Sequence, residues 1–143
     1  KELVSTNYQR NQTMITSAND YSGVRIAVVI PAYRAETTIR QVISHIPAFV
    51  RFIVVVEDCS PDHTAAVVEE ELQKDSRIHL IRHTANQGVG GATLSGYFKA
   101  HELGADIVVK MDSDDQMDPA HLPALIRPIL NRQAEGFEKS ISS

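Results

Sequence analysis

Four aspartates fall within the seven residues from Asp112 to Asp118, in the sequence DSDDQMD. Carboxylates this close repel one another unless they are solvated or bind a cation. In an extended segment residues two apart point the same way, so Asp112 and Asp114 can converge and the Gln116 amide can join them. Hard oxygen ligands of this kind suit Mg²⁺ or Mn²⁺. The alternative is the acidic N-terminus of a helix. We adopt it for Asp118, which precedes Pro119, and favour the metal for Asp112 and Asp114.

Two further acids, Glu57 and Asp58, directly follow the β-branched run FIVVV. Carboxylates in this position can accept hydrogen bonds from a base or a ribose, as an acidic residue does in dinucleotide-binding sites. The segment EDCSPD is equally typical of an Asx turn. The residues alone leave both interpretations open.

A glycine-rich segment, NQGVGGA at residues 86–92, precedes a predicted helix. Glycines there allow close approach of the backbone and can present N–H groups to an anion. The segment lacks the Gly-Lys-Ser/Thr ending of a phosphate-binding P-loop, and it follows the third predicted strand, whereas a dinucleotide fingerprint follows the first. A purely structural left-handed turn explains it at least as well.

The segment PAYRAE, from Pro31 to Glu36, follows the first predicted strand. Tyr33 could lie against a base and Glu36 could reach a ribose, but by itself the segment is typical of a loop before an acidic helical turn. Three basic residues near strand ends could meet a diphosphate, although a surface position is the default for each: Arg34, Arg82 and Lys110.

The composition limits what this chemistry can serve. The chain has 143 residues, of which 43% are hydrophobic, and a formal net charge of −4. This length suits one compact domain, and the charge argues against binding of duplex nucleic acid, which normally needs a basic face. The sequence contains no run of about 18 apolar residues, the length that a membrane-spanning helix needs. A single cysteine, Cys59, cannot form an internal disulfide, and the six histidines lack zinc-site spacing.

Apolar patterning predicts strands that alternate with helices. Short β-branched runs indicate strands at residues 25–30, 52–56, 78–81 and 107–111. Helical spacing of apolar residues predicts helices at 36–46, from an Asp62 N-cap through Leu72, at 92–103, and from Leu122 through Ile129. On the third helix we expect Leu94, Tyr97 and Phe98 to face inward, with Gly104 as the stop.

This order predicts an α/β fold, a three-layer α/β/α arrangement with a mainly parallel sheet. Ligands of such sheets bind outside the carboxyl ends of the strands. The four chemical segments come directly after strands, so we expect them to meet at that edge. We predict a flexible N-terminal arm at residues 1–23, the folded region at 24–130 and a polar tail at 131–143.

In their order, the segments VVIPAYRAE, VVVEDCSPDHT, NQGVGGA and VVKMDSDDQMDP resemble the nucleotide-sugar-binding half of an inverting family 2 glycosyltransferase. This family has the GT-A (nucleotide-diphospho-sugar transferase-like) fold. Within it, the chain is most similar to bacterial relatives of polyprenyl-phosphate or dolichyl-phosphate mannose and glucose synthases. The resemblance covers roughly residues 24–130.

The resemblance implies roles for individual residues. Asp112 and Asp114 match the DxD motif, which binds a divalent metal, Mg²⁺ or Mn²⁺, and Gln116 matches its DxDxQ form, in which the amide completes the metal shell. Asp58 would meet the base, and the family usually has Asp where this chain has Glu57. The residues implied to contact the nucleotide are Pro31, Ala32, Tyr33, Glu36, Asp58, Gly88, Asp112 and Ser113.

The implied activity is transfer of a sugar from a UDP- or GDP-sugar to an acceptor such as a polyprenyl phosphate or a glycan, in cell-envelope polysaccharide synthesis. Family members continue well beyond the end of this chain, so we expect only the donor-binding half here, truncated before the acceptor site. No residue of this chain is assigned as the general base. We expect a cytoplasmic location, with the inner face of the membrane compatible with a lipid-linked acceptor.

Two other functions stay open beside this one. The chain could be a catalytically inert, truncated nucleotide-binding remnant of the same ancestry. A receiver-like signalling domain is also a parallel α/β domain of about this size. In receiver-like domains, however, the acidic pair follows the first strand, where this chain has Pro31 and Ala32.

Overall fold

The sheet is formed by the β-branched runs of the sequence. The computed structural model of the chain describes residues 2–4, 23–114 and 121–134. In chain order its elements are β1 (Glu2–Val4), β2 (Ile26–Ala32), α1 (Ile39–Ser44), β3 (Phe52–Glu57), α2 (Thr64–Lys74), β4 (Ile78–Arg82), α3 (Gly88–Glu102), β5 (Ile107–Lys110) and α4 (Leu122–Ala134). The predicted alternation of four strands and four helices is confirmed, and β1 is a further strand that the sequence did not predict.

The strands lie in the order β1-β5-β2-β3-β4. Strands β5, β2, β3 and β4 are parallel, as predicted, whereas β1 pairs with β5 in the antiparallel direction. In this register Ala32 pairs with Glu57, and Glu57 pairs with Arg82. The carboxyl ends of β2, β3 and β4 are therefore level, and the segments that follow them begin at one edge of the sheet.

Helices cover both faces of the sheet, which confirms the three-layer arrangement. One face carries the larger side chains of alternate strand positions, such as Ile26, Ile53 and Ile107, and packs against buried residues of α1, α2 and α4. The opposite face carries smaller side chains: Ala27, Val29, Val54, Val56 and Val108. Among the described residues, the helix that packs there is α3.

The buried face of α3 corrects the prediction for this helix. Leu94 and Phe98, expected to face inward, are 53% and 68% exposed, whereas Tyr97 is half-buried. The residues buried on the helix are Ala92, Gly96 and Ala100. A Cβ atom at Gly96 would lie 2.2 Å from Cγ1 of Val29, so the helix is too close to the sheet for large side chains.

Several predicted boundaries also shift. Helix α3 begins at Gly88 rather than at residue 92, so the glycines form its first turn. Strand β2 extends beyond the predicted end at residue 30, because it runs to Ala32 and Pro31 pairs with Val56. The first helix is shorter than the predicted 36–46, since residues 36–38 form turns. Within the described residues, no helix is both long enough and apolar enough to cross a membrane.

The N-terminus of α2 also differs in detail. The capping position is His63, whose side chain makes no capping hydrogen bond, rather than the predicted Asp62. The carboxylate of Asp62 still contacts the helix, because its Oδ1 accepts the N–H of Thr64 at 3.1 Å and the Thr64 hydroxyl at 2.6 Å.

Candidate functional site

A cavity of about 440 Å³ lies outside the carboxyl ends of the parallel strands. The four segments that the sequence singles out all contribute to its wall, as expected for ligand sites in sheets of this kind. The lining residues are Pro31, Ala32, Tyr33, Asp58, Asn86, Gly88, Val89, Ala92, Asp112, Ser113 and Asp114.

Among the described residues predicted for the site, Glu36 is not one of those that line the cavity. Glu36 is turned towards the start of α2, where its Oε1 accepts the backbone N–H of His63 at 3.1 Å. Its Oε2 lies 3.4 Å from Nδ1 of the same histidine. Gln116, the predicted third metal ligand, lies outside the described residues, as does Asp118.

The adjacent acids Glu57 and Asp58 have different roles. Both are buried, but Glu57 closes the turn after β3 by accepting the backbone N–H of Ser60 at 2.7 Å. The Asp58 side chain instead crosses to the glycine-rich segment, where Oδ1 accepts the N–H of Gln87 at 2.9 Å and Oδ2 accepts that of Gly88 at 2.8 Å. Turn chemistry thus explains Glu57, and of these two adjacent acids it is Asp58 that lines the cavity.

These contacts change the interpretation of the glycine-rich segment. The N–H groups of Gln87 and Gly88, at the start of α3, already donate to a carboxylate of the protein itself. A negative charge at a helix N-terminus is favourable because of the orphan N–H groups and the helix dipole. Gly88 has φ of +81°, which a residue with a side chain rarely adopts. The anion that these two amides bind is therefore Asp58.

The surroundings of Asp58 also set its charge. Burial acts to raise the pKa of Asp58, but hydrogen bonds from Gln87, His83 and Gly88 outweigh burial and leave the pKa below its ordinary value. Asp58 is consequently ionised at neutral pH and can only accept hydrogen bonds.

His83 is a site residue that the sequence analysis did not identify. Its Nδ1 lies 2.8 Å from Oδ1 of Asp58, and its Nε2 lies 2.9 Å from Oγ of Ser95 on α3. Because the ionised carboxylate only accepts, Nδ1 must be the donor in the first of these bonds. The available signal was its position: His83 directly follows β4, as Asp58 directly follows the adjacent strand β3.

The acidic loop after β5 places two carboxylates at the cavity. The Asp112 side chain is 55% exposed, and its Oδ1 lies 3.5 Å from Nζ of Lys110. Asp114 is exposed and lines the same cavity. The loop between them is fixed from α1, because the Thr38 hydroxyl donates to the carbonyl oxygen of Ser113 at 2.6 Å.

These donors are chemically suited to a hard divalent cation, although they do not complete a site by themselves. Asp112 and Asp114 supply carboxylate oxygens on one loop, accessible to solvent and facing a cavity. Within residues 2–4, 23–114 and 121–134, no group of three or more His, Cys, Asp or Glu side chains is placed to hold a metal ion. Two protein carboxylates with water and phosphate oxygens are nevertheless a usual set for Mg²⁺.

An aromatic ring also lines the cavity. Tyr33 is 44% exposed, and the Arg34 guanidinium lies 5.5 Å from its ring centroid, a cation–π contact. Arg34 has φ of +54° and Cys59 has φ of +63°, each two residues after the strand that precedes it. Non-glycine residues adopt this conformation only when the surrounding structure holds them. Both turns adjoin the cavity wall.

Comparison with known proteins gives a consistent result. The model of the family described as glycosyl transferase family 2 matches residues 27–137 of the chain. A UDP-N-acetylglucosamine–dolichyl-phosphate N-acetylglucosaminyltransferase of Methanococcus voltae is 36% identical over 123 residues, which are 77% of this chain and 49% of that protein. An undecaprenyl-phosphate mannosyltransferase of Micrococcus luteus is 29% identical over 108 residues, 74% of this chain and 44% of that protein.

Solved structures share the fold. A mannosyltransferase of Pyrobaculum calidifontis, in complex with GDP-Man and Mn²⁺, matches with a TM-score of 0.64 at 19% identity, over 84% of this chain and 38% of that one. Glucosyl-3-phosphoglycerate synthase of Mycobacterium tuberculosis, in complex with Mn²⁺, UDP and glucosyl-3-phosphoglycerate, matches with a TM-score of 0.61 at 26% identity, over 83% and 43%. The chain spans about half the length of the curated relatives named above.

Proposed function

We propose that this chain, which belongs to glycosyl transferase family 2, binds the nucleoside diphosphate of a nucleotide sugar in the cavity at the strand ends, together with a divalent cation. The observation that carries the proposal is the convergence on one cavity of the four segments after β2, β3, β4 and β5. The nucleotides and Mn²⁺ in the structures of similar proteins support the same ligand class.

The cation would be held by Asp112 and Asp114, with the Gln116 amide as a further ligand. It would neutralise the charge that develops on the diphosphate leaving group, as a Lewis acid does. The Lys110 ammonium group, which lies 3.5 Å from Oδ1 of Asp112, would add positive charge beside the diphosphate. A net negative chain needs such local positive charge to bind an anionic donor.

The nucleoside would contact other residues of the cavity wall. The exposed ring of Tyr33 can pack against a base, and Asp58 can accept a hydrogen bond from a base N–H. Uracil and guanine both carry such an N–H group, so Asp58 does not select between UDP and GDP. Pro31 and Ala32 are also part of this wall.

For the complete protein we propose inverting transfer of the sugar to a polyprenyl phosphate or a glycan. The names of the relatives from Methanococcus voltae and Micrococcus luteus support a lipid-phosphate acceptor. Such a reaction belongs to the assembly of cell-envelope polysaccharides, at the inner face of the membrane or in the cytoplasm. The donor-binding residues described above would orient the sugar, and no general base is assigned among them.

Isothermal titration calorimetry of UDP and of GDP into this chain tests the proposal. With MnCl₂ we expect one of the two to bind at least about tenfold more tightly than in EDTA, because a cation held by Asp112 and Asp114 would also attract the diphosphate oxygens. Asp114→Asn should remove this metal dependence. Glu102→Gln, an exposed acid at the end of α3, should retain it. If neither nucleotide binds with or without metal, the proposal is wrong.

A further inference from the structure

We infer that His83 is a positioning residue of the nucleotide pocket: through Asp58 it holds the base-facing carboxylate and the start of α3 in their binding arrangement. The inference rests on the proposed function, because His83 is assigned the role of holding Asp58, and Asp58 is itself proposed to contact the nucleoside.

His83 connects three elements of the fold. It follows β4, while Asp58 follows β3 and Ser95 lies on α3. Its two ring nitrogens form hydrogen bonds in opposite directions, to the Asp58 carboxylate at 2.8 Å and to the Ser95 hydroxyl at 2.9 Å. The backbone N–H of His83 donates to the carbonyl oxygen of Glu57 at 2.9 Å. Both ring nitrogens of His83 and its backbone N–H are therefore held by hydrogen bonds.

Because His83 and Asp58 are buried, the loss of either hydrogen-bond partner is costly. The side chains of His83 and Asp58 are only 7% and 4% exposed. At such low exposure water cannot readily replace a missing partner, so an unsatisfied carboxylate oxygen or ring nitrogen is costly. Among the described residues, three groups form hydrogen bonds to the Asp58 carboxylate. Two of them are the backbone amides of Gln87 and Gly88, and the third is the side chain of His83.

The distribution of hydrogen bonds over the carboxylate shows what His83 controls. A carboxylate has about four acceptor positions. Oδ1 of Asp58 accepts from both His83 and Gln87, and Oδ2 accepts from Gly88. The remaining capacity is therefore on Oδ2. By holding Oδ1, His83 fixes the rotation of the carboxylate and thereby keeps Oδ2 available to the cavity that Asp58 lines.

Loss of the Nδ1 donor should consequently weaken nucleotide binding. The carboxylate could then rotate, and the amides of Gln87 and Gly88 would lose their fixed acceptor. Ser95 sets the orientation of the ring from α3, so its loss should produce a smaller effect in the same direction.

Two substitutions of His83 separate the roles of its nitrogens. The amide nitrogen of Asn can take the place of Nδ1, whereas that of Gln takes the place of Nε2. By calorimetry with MnCl₂ and the preferred nucleotide, His83→Asn should bind within about twofold of the unsubstituted chain. His83→Gln should bind about tenfold more weakly, the effect of losing a hydrogen bond to a charged group. His101→Gln, at an exposed position on α3, should leave the Kd unchanged.

A double substitution shows whether His83 acts through Asp58. In an Asp58→Asn background, His83→Gln should add less than about twofold to the Kd, since the carboxylate that it positions is gone. Amide hydrogen exchange without nucleotide should also be faster at Gln87 and Gly88 in His83→Gln than in His83→Asn. Equal exchange in the two variants, or fully additive losses of affinity, would overturn the inference.

The outcomes also separate this inference from the proposed function. If the unsubstituted chain binds a nucleotide and His83→Gln binds it equally well, only the role of His83 is wrong. If the unsubstituted chain binds neither UDP nor GDP, the proposed function is wrong and the inference fails with it. Thermal unfolding measurements show whether each variant is folded. If His83→Gln is unfolded, the affinity of His83→Asn decides, and a loss well beyond twofold in that folded variant would overturn the inference.

Discussion

The hydroxyl of Thr38 donates a hydrogen bond to the carbonyl oxygen of Ser113, 2.6 Å away and 75 positions later in the chain. Thr38 is the capping residue of α1, but its side chain makes no capping hydrogen bond to that helix. Ser113 lies between the two aspartates proposed to hold the cation. The loop that carries the proposed metal ligands is therefore held by a side chain from the segment that follows the neighbouring parallel strand β2.

Removal of this hydroxyl should impair binding without unfolding the chain. Thr38→Val preserves the shape of the side chain, and the lost hydrogen bond corresponds to about 1 kcal/mol. We expect the Kd for the nucleotide in the presence of Mn²⁺ to rise about threefold to tenfold, measured by calorimetry. Thr37→Val, at an exposed neighbouring position, is the matched control and should bind normally. A normal Kd in Thr38→Val would show that the loop does not depend on this bond.

The close packing of α3 on the sheet gives a stability prediction. Gly96→Ala places a Cβ atom 2.2 Å from Cγ1 of Val29, a stiff side chain of the buried strand β2. Overpacking of this kind should lower the free energy of unfolding by about 2 kcal/mol. A Cβ atom at Gly90 would meet nothing within 4 Å, so Gly90→Ala on the same helix should raise it by about 0.5 kcal/mol. Urea titration measures both, and equal stabilities would contradict the close approach of α3.

The hydrogen bonds of Asp58 predict a dependence of stability on pH. The pKa of Asp58 is lowered in the folded chain, so its ionised form stabilises the fold above the ordinary pKa of about 4. This stabilisation is lost as the pH falls through the lower, folded pKa. Thermal midpoints of the unsubstituted chain and Asp58→Asn should differ most near pH 7, by an amount equivalent to about 2 kcal/mol, and should converge in acid.

A matched variant makes this pH experiment specific. Glu102→Gln removes an acid whose side chain is 71% exposed, and its thermal midpoint should follow that of the unsubstituted chain throughout. The account of Asp58 would be contradicted by a gap between Asp58→Asn and the unsubstituted chain that stays constant down to pH 3.

The sequence predicted the fold well where one face of an element is apolar. Ile39, Val42 and Ile43 are buried on α1 as their spacing predicts, and the β-branched runs form the parallel strands. The prediction was wrong for α3, where Leu94 and Phe98 are exposed. Hydrophobic periodicity favours large apolar residues for the core, but here the distance between helix and sheet selects Ala and Gly instead.

The sequence predicted where the candidate site lies, but it did not predict the hydrogen bonds between the site residues. The rule that ligands bind at the carboxyl ends of parallel strands brings Tyr33, Asp58 and Asp112 together, and all three line the cavity. The pairing of Asp58 with Gly88 and His83 depends on side-chain directions and strand neighbours, which spacing along the chain does not specify. Glu36 illustrates the same limit, because its carboxylate is turned to the N–H of His63.

The central claim is that one cavity binds a nucleoside diphosphate and a divalent cation together. The most direct test is a crystal structure of this chain grown with Mn²⁺ and UDP or GDP, with an anomalous difference map at the manganese edge. We predict a manganese peak within about 2.5 Å of carboxylate oxygens of Asp112 or Asp114, next to the diphosphate, with the base against Tyr33. A nucleotide bound elsewhere, or no manganese peak at these aspartates despite a bound nucleotide, would contradict the account.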